Sequence, residues 1–130
     1  MTDASYPDDL RYHEAHDWVR IDGDIATFGI TWYAQDTLGE VVYYSPPAVG
    51  ATVAKDGDYG ELESTKAVSG LVAPLSGEVV EVNDGLEGSE STINDDPYGE
   101  GWLIKVRMAD PSELDALMDA ASYQAFVDEL

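Results

Sequence analysis

A small, mainly β barrel or sandwich is predicted by three observations. Short runs rich in β-branched and aromatic residues recur from Trp18 to Val106, turn residues separate them at regular intervals, and a helical period appears only after Asp110. Residues 1–10 read as an acidic N-terminal arm, and the single domain is expected to span 11–130. Trp18-Val19-Arg20-Ile21 and Ile25-Ala26-Thr27-Phe28 flank Asp22-Gly23-Asp24, a hairpin signal. Thr31 is placed to cap a short helix over 31–38 with Ala34 and Leu38 on one side, and Gly39 to end it.

Strands follow. The run from Gly39 to Tyr44 stops at Pro46-Pro47, Thr52-Val53 precedes the turn residues Asp56-Gly57, and Glu61 to Gly70 reads as a strand, a polar tip and a second strand. The tetrapeptide Gly-Glu-Val-Val at Gly39 recurs at Gly77, a hint of two similar halves, although four residues can match by chance. Asn83 to Gly101 is polar and Gly-rich and reads as a long surface connection interrupted only by Ile93 and Tyr98. Trp102 to Val106 supplies the last strand. After it, Asp110-Pro111-Ser112-Glu113 has the form of a helix start before Leu114, Leu117, Met118 and Ala121. Ser122 is the expected cap of a second C-terminal helix with Tyr123, Phe126, Val127 and Leu130 at helical spacing. Both apolar stripes are expected to pack on the β portion.

Composition narrows the function. A chain of 130 residues with 44% hydrophobic content builds one core, and its net charge of −21 repels phosphate backbones and anionic lipid. Nucleic acid and membrane partners are therefore not expected. No segment approaches the ~18 apolar residues that span a bilayer, and a cytoplasmic monomer is the simplest reading. Cysteine is absent, which removes thiolate catalysis and Cys-ligated metals. Carboxylates dispersed over the whole chain, with lysine nearly absent, suggest a halophilic composition adapted to high salt.

The chain offers little chemistry of its own. There is no nucleophile signature, no phosphate-cradling Gly-rich loop and no zinc-binding His pair with a helical context. His13 and His16 stand three residues apart, but on a strand that spacing points them to opposite faces, so no metal is expected. Glu61 and Glu63 share a strand face, as chance pairs will among 27 acids. Lys66, one of three lysines, lies at the tip of the hairpin, where an amine is either an ordinary solvated turn residue or a group presented for acylation.

The neighbours of Lys66 carry a family resemblance. Glu63-Ser64-Thr65-Lys66-Ala67-Val68, followed by Pro74-Leu75-Ser76-Gly77-Glu78-Val79, resembles the lipoyl attachment hairpin of glycine cleavage system H proteins. His16-Asp17-Trp18-Val19, Gly29-Ile30-Thr31, Tyr33-Ala34-Gln35, Leu38-Gly39-Glu40-Val41-Val42 and Asn94-Asp95-Asp96-Pro97-Tyr98-Gly99-Glu100-Gly101-Trp102 resemble the same family in order, so the likeness covers residues 11–130. Biotin carriers share the hairpin but read Met-Lys-Met, and lipoyl domains of the 2-oxo acid dehydrogenases typically read Asp-Lys-Ala. Neither accounts for the Asp-Pro-Tyr-Gly segment.

The resemblance implies a barrel-sandwich hybrid with lipoate attached covalently to Lys66, and with Glu63 and Gly77 recognised by the lipoylation enzymes. It implies a carrier protein rather than an enzyme. The carrier would take the aminomethyl group of glycine from a pyridoxal phosphate decarboxylase to a tetrahydrofolate-dependent aminomethyltransferase, then pass its dithiol to dihydrolipoyl dehydrogenase. Two alternatives stand beside this one: an H-like lipoyl carrier in another pathway, such as sulfur metabolism or lipoyl relay, and an unmodified interaction domain. The chain departs from the family where the loaded arm folds back. Ala15 replaces a usual Ser, Asp17 a usual Glu, Gly70 a usual Asp, and Trp32 an Asp. His16 and Asp17 are the implied arm-docking residues, with Asp17 either a charged contact for the arm or a solvated carboxylate at a strand start.

Overall fold

The computed structural model describes residues 5–130, and residues 1–4 of the acidic arm lie outside the described residues. Among the described residues nine strands form two antiparallel sheets. Strands β1 (Arg11–Tyr12), β2 (Asp17–Asp22) and β3 (Ile25–Ile30) join β9 (Ile104–Met108), β8 (Gly77–Val82) and β5 (Thr52–Val53) in the order β1-β2-β3-β9-β8-β5. The second sheet runs β4-β6-β7, from β4 (Val41–Ser45), β6 (Asp58–Ser64) and β7 (Val68–Val72). The repeated Gly-Glu-Val-Val segments thus feed one strand to each sheet, with Val41 and Val79 buried in the core they share. This is the mainly β, barrel-sandwich architecture expected of the sequence.

Local signals explain most elements. Asp22 pairs with Ile25 across a two-residue turn in which Gly23 takes a φ of +65°, a conformation that costs a side chain but not glycine. Helix α1 (Trp32–Leu38) starts at Thr31, whose Oγ1 accepts from the Ala34 amide, and ends at Gly39 with φ +88°. Its Leu38 joins Phe28, Leu62, Leu75 and Ile104 in the main core between the sheets.

A second apolar cluster lies on the other side of β2, where Trp18 and Tyr12 meet Leu10, Ala120 and Tyr123, with Tyr6 packed against them. The chain before Arg11 therefore contributes to packing, and Tyr12 Oη donates to the Pro7 carbonyl at 2.7 Å.

Two expectations need correction. The segment from Asn83 to Gly101 is not a plain surface connection: it holds a 3₁₀ turn (Asp84–Leu86) and helix α2 (Thr92–Asp95), with Leu86 and Ile93 buried. Four residues are too few to show a period, so composition concealed the helix. The C-terminal region contains one α-helix, not two. Pro111–Ala116 is 3₁₀, and α3 is Ala120–Asp128, capped by Asp119 rather than Ser122. Between them Met118 exchanges both backbone hydrogen bonds with Tyr12, each 2.8 Å, so a β-bridge interrupts the helical period. Leu130, placed on the apolar stripe by spacing, is exposed.

Every ion pair among the described residues has at least one partner more than half exposed, so these pairs add little to stability. The cores carry the fold.

Candidate functional site

The tip Thr65-Lys66-Ala67 joins β6 to β7. Ser64 shapes it: the Ser64 amide donates to the Ala67 carbonyl at 2.8 Å, and Ser64 Oγ accepts from the amides of Lys66 at 3.2 Å and Ala67 at 3.0 Å. One further bond, from the Thr65 amide to the Glu40 carbonyl at 3.1 Å, ties the tip to the start of β4. The backbone is thereby fixed while the lysine side chain stays exposed. Its stem crosses Gly39, where a Cβ would lie 3.0 Å from Lys66 Cε, so glycine at this helix end also leaves room for the lysine.

The three lysines differ in availability. Lys55 Nζ lies 3.3 Å from Asp56, and Lys105 Nζ lies 3.9 Å from Glu81 and over the Trp102 ring. Among the described residues no carboxylate forms an ion pair with Lys66. Among the described lysines, Lys66 alone forms no ion pair and is exposed.

Glu63 is exposed, directly across from Tyr43 on one side and Val68 on the other. Gly77 sits in the other sheet, buried between Met108 of β9 and Val53 of β5. A Cβ there would lie 2.2 Å from the Arg107 carbonyl oxygen, so close approach of two backbones, not conformational freedom, requires glycine.

A narrow cavity of about 40 Å³ opens beside the inner face of β7, lined by Ala15, Asp17, Leu38, Leu62, Ser69 and Gly70, among others. It has room for one small polar group. Asp17, Ala15 and Gly70, three positions the sequence placed near the arm, converge here. His16 does not join them. Its Nδ1 lies 2.7 Å from Tyr123 Oη, its ring packs on Tyr33 and Phe126, and burial lowers its pKa. His13 instead pairs with Asp56 at 2.7 Å, which holds the Asp56 carboxyl below its usual range.

Asp17 is 2% exposed, so it is not a solvated strand residue. Burial pushes its carboxyl well above the ordinary carboxylate range, partly opposed by Tyr59, whose hydroxyl donates to Oδ2 at 2.7 Å. Sequence reading missed Tyr59. The available signal was a tyrosine at an inward strand position, since a buried phenol needs a hydrogen-bond partner. The Asp-Pro-Tyr-Gly segment acquires a structural role: the Pro97 carbonyl accepts from Trp18 Nε1, the Tyr98 carbonyl from Arg20, and Tyr98 Oη from the Trp32 amide.

The model of the family described as Glycine cleavage H-protein matches residues 10–130. A glycine cleavage system H protein of Symbiobacterium thermophilum is 51% identical over 126 residues, covering 97% of this chain and 98% of its own. One from Anaeromyxobacter sp. (strain K) is 54% identical over 123 residues, covering 95% and 96%. The crystal structure of a glycine cleavage system H protein from Mycobacterium marinum superposes with a TM-score of 0.84 at 39% identity, over 95% of this chain and 99% of that one.

Proposed function

The chain belongs to the glycine cleavage H-protein family, and on that premise we propose that Lys66 is its lipoyl attachment site. Membership makes the chain a lipoyl carrier of the glycine cleavage system that works with the system's other components. The observation that carries the assignment of Lys66 is its fixed hairpin tip with a free, exposed amine. The surroundings fit the group, since Gly39 leaves the stem unobstructed. When bound, lipoate supplies a dithiolane that accepts a carbon fragment and electrons and is later reoxidised.

The chain's own part is to hold and shelter. A tethered arm raises the effective concentration of its reactive end at each docked active site, so the carrier needs no catalytic side chain. In this reading Lys66 is served first by the lipoylation enzymes, with Glu63 in their contact, and then by the decarboxylase, the aminomethyltransferase and dihydrolipoyl dehydrogenase. No helix among the described residues is long and apolar enough to cross a membrane, and we place the carrier in the cytoplasm. The modified chain, added to the decarboxylase, should restore exchange between bicarbonate and the glycine carboxyl; a modified chain that restores none would contradict the proposal.

Asp17 is assigned to the arm's docked state. A cationic end group entering the cleft would favour the ionised carboxyl, and Tyr59 holds that carboxyl in place. Ala15 and Gly70 bring no polar side chain, leaving Asp17 as the main charged contact. Asp17→Asn should therefore speed loss of formaldehyde from the loaded carrier about fivefold, the effect of about 1 kcal/mol; equal rates would remove Asp17 from docking. The same variant has a pH signature in the unloaded protein. An aspartate whose pKa rises on folding favours the fold below its unfolded value and costs stability as pH climbs through the folded one. Asn never ionises. Urea unfolding should thus show the variant gaining on the parent as pH rises from about 4 upward, whereas a pH-independent difference would contradict a buried, perturbed Asp17.

A further inference from the structure

We propose that a β-bulge in β4 builds the surface by which the lipoate-attaching enzyme reads this chain, with Val42 and Tyr43 as its apolar anchors. The proposal rests on Lys66 as the attachment site. Regular alternation along β4 would turn one of every two successive side chains inward. Here Val41 and Tyr44 are both buried, at 2% and 7% exposure, while the two residues between them are both exposed, Val42 at 48% and Tyr43 at 50%. The register gives the cause. Val41 pairs with Ser64 and Tyr43 with Glu63, so β4 spends two residues where β6 spends one. The extra residue puts a second apolar side chain outside.

That side chain stands in an ordered row. Tyr43, Glu63 and Val68 are direct cross-strand partners over β4, β6 and β7, so their side chains share the outer face across about 10 Å. Val68 is 61% exposed. Among the described residues six large hydrophobic side chains are exposed, and three of them, Val42, Tyr43 and Val68, flank the strand that leads into Lys66. A bulge alone would suffice to blunt the exposed edge of β4, but edge protection calls for charge or proline, not for valine and tyrosine. An exposed tyrosine is of the kind enriched at interface centres, and Glu63 beside it supplies the charge that orients a partner.

The occupant follows from reach. An enzyme that acylates Nζ must bring its reacting atoms to bonding distance of the amine, and so covers the residues within a lysine stem of the tip. Enzymes that act on the finished arm meet its far end and need not cover them. The complementary surface would carry a pocket for Tyr43 and a cation facing Glu63. In the reaction itself ATP activates the lipoate carboxylate as an acyl adenylate with loss of pyrophosphate. Nζ then attacks the carbonyl carbon, the amide forms, AMP leaves and the amine gives up a proton.

The test is a Val42→Thr/Tyr43→Thr variant, which keeps strand-compatible residues at exposed positions. Purified lipoate ligase, lipoate and ATP are supplied, and modification of Lys66 is followed by intact mass and peptide mapping. We expect kcat/KM for modification to fall about tenfold, the loss of one or two interface anchors. Three controls should match the parent: the unfolding midpoint, the rate at which a small acetylating reagent modifies Lys66, and the ligase rate of Val49→Thr, an exposed residue of the β4–β5 connection outside the row. Once driven to full modification, the double variant should support bicarbonate exchange at the parent rate. Equal ligase rates for parent and variant would overturn the proposal while leaving the attachment site intact. So would normal modification with slowed exchange, which would give the face to the decarboxylase. A parent that is not modified at Lys66 would overturn both readings.

Discussion

Lys66→Arg will leave the chain folded but unable to carry its cofactor, and exchange of bicarbonate with glycine will fall to the level of the decarboxylase alone. Arginine keeps the positive charge and a long stem at an exposed tip, so unfolding should stay within about 0.5 kcal/mol of the parent. Its guanidinium is protonated at every working pH and its lone pairs are delocalised, which removes the nucleophile that forms the amide. The other lysines do not compensate, since Lys55 and Lys105 lie outside the hairpin tip and pair with Asp56 and Glu81. Retained modification in the variant would contradict the site; a large loss of stability would contradict the exposed tip.

Gly77→Ala should act in the opposite way, through the fold rather than the chemistry. The added methyl would sit 2.2 Å from the Arg107 carbonyl oxygen and 2.4 Å from Val106 Cγ1. The first is backbone in the neighbouring strand and cannot swing aside, so β8 must part from β9 where six-stranded pairing is anchored at Met108. A cost of about 3 kcal/mol is expected, seen as a fall in Tm of about 10 °C. Modification of the molecules that remain folded should proceed at the parent rate. An unchanged Tm with slowed lipoylation would instead make Gly77 a contact of the modifying enzyme.

Elements governed by local chemistry were legible in the sequence. The Thr31 cap, the glycine turn at Gly23 and the hairpin around Lys66 each depend on a few neighbouring residues, and each stands where those residues put it. Elements governed by distant partners were not. The backbone exchange between Tyr12 and Met118 breaks a helical pattern that is regular in sequence. Asp17, Trp18 and Val19 are buried in succession because β2 is covered on both faces, Val19 by the main core and Trp18 by the second cluster. No alternation survives in such a strand, so the sequence left Asp17 open between a contact for the arm and a solvated carboxylate. The identity of Lys66 as a candidate came from its sequence neighbours. The cleft that Asp17 lines needed three dimensions, since it joins Ala15 and Asp17 to Gly70 across both sheets.

On the proposed reading one amine of this chain, Nζ of Lys66, carries lipoate. The most direct measurement is the mass of the intact protein isolated from its native host, followed by fragmentation of the peptide that contains Lys66. A single lipoyl adduct located on Lys66, with Lys55 and Lys105 unmodified, is the predicted result. An unmodified Lys66 in protein from a host that expresses active lipoylation enzymes, or an adduct on either other lysine, would contradict it.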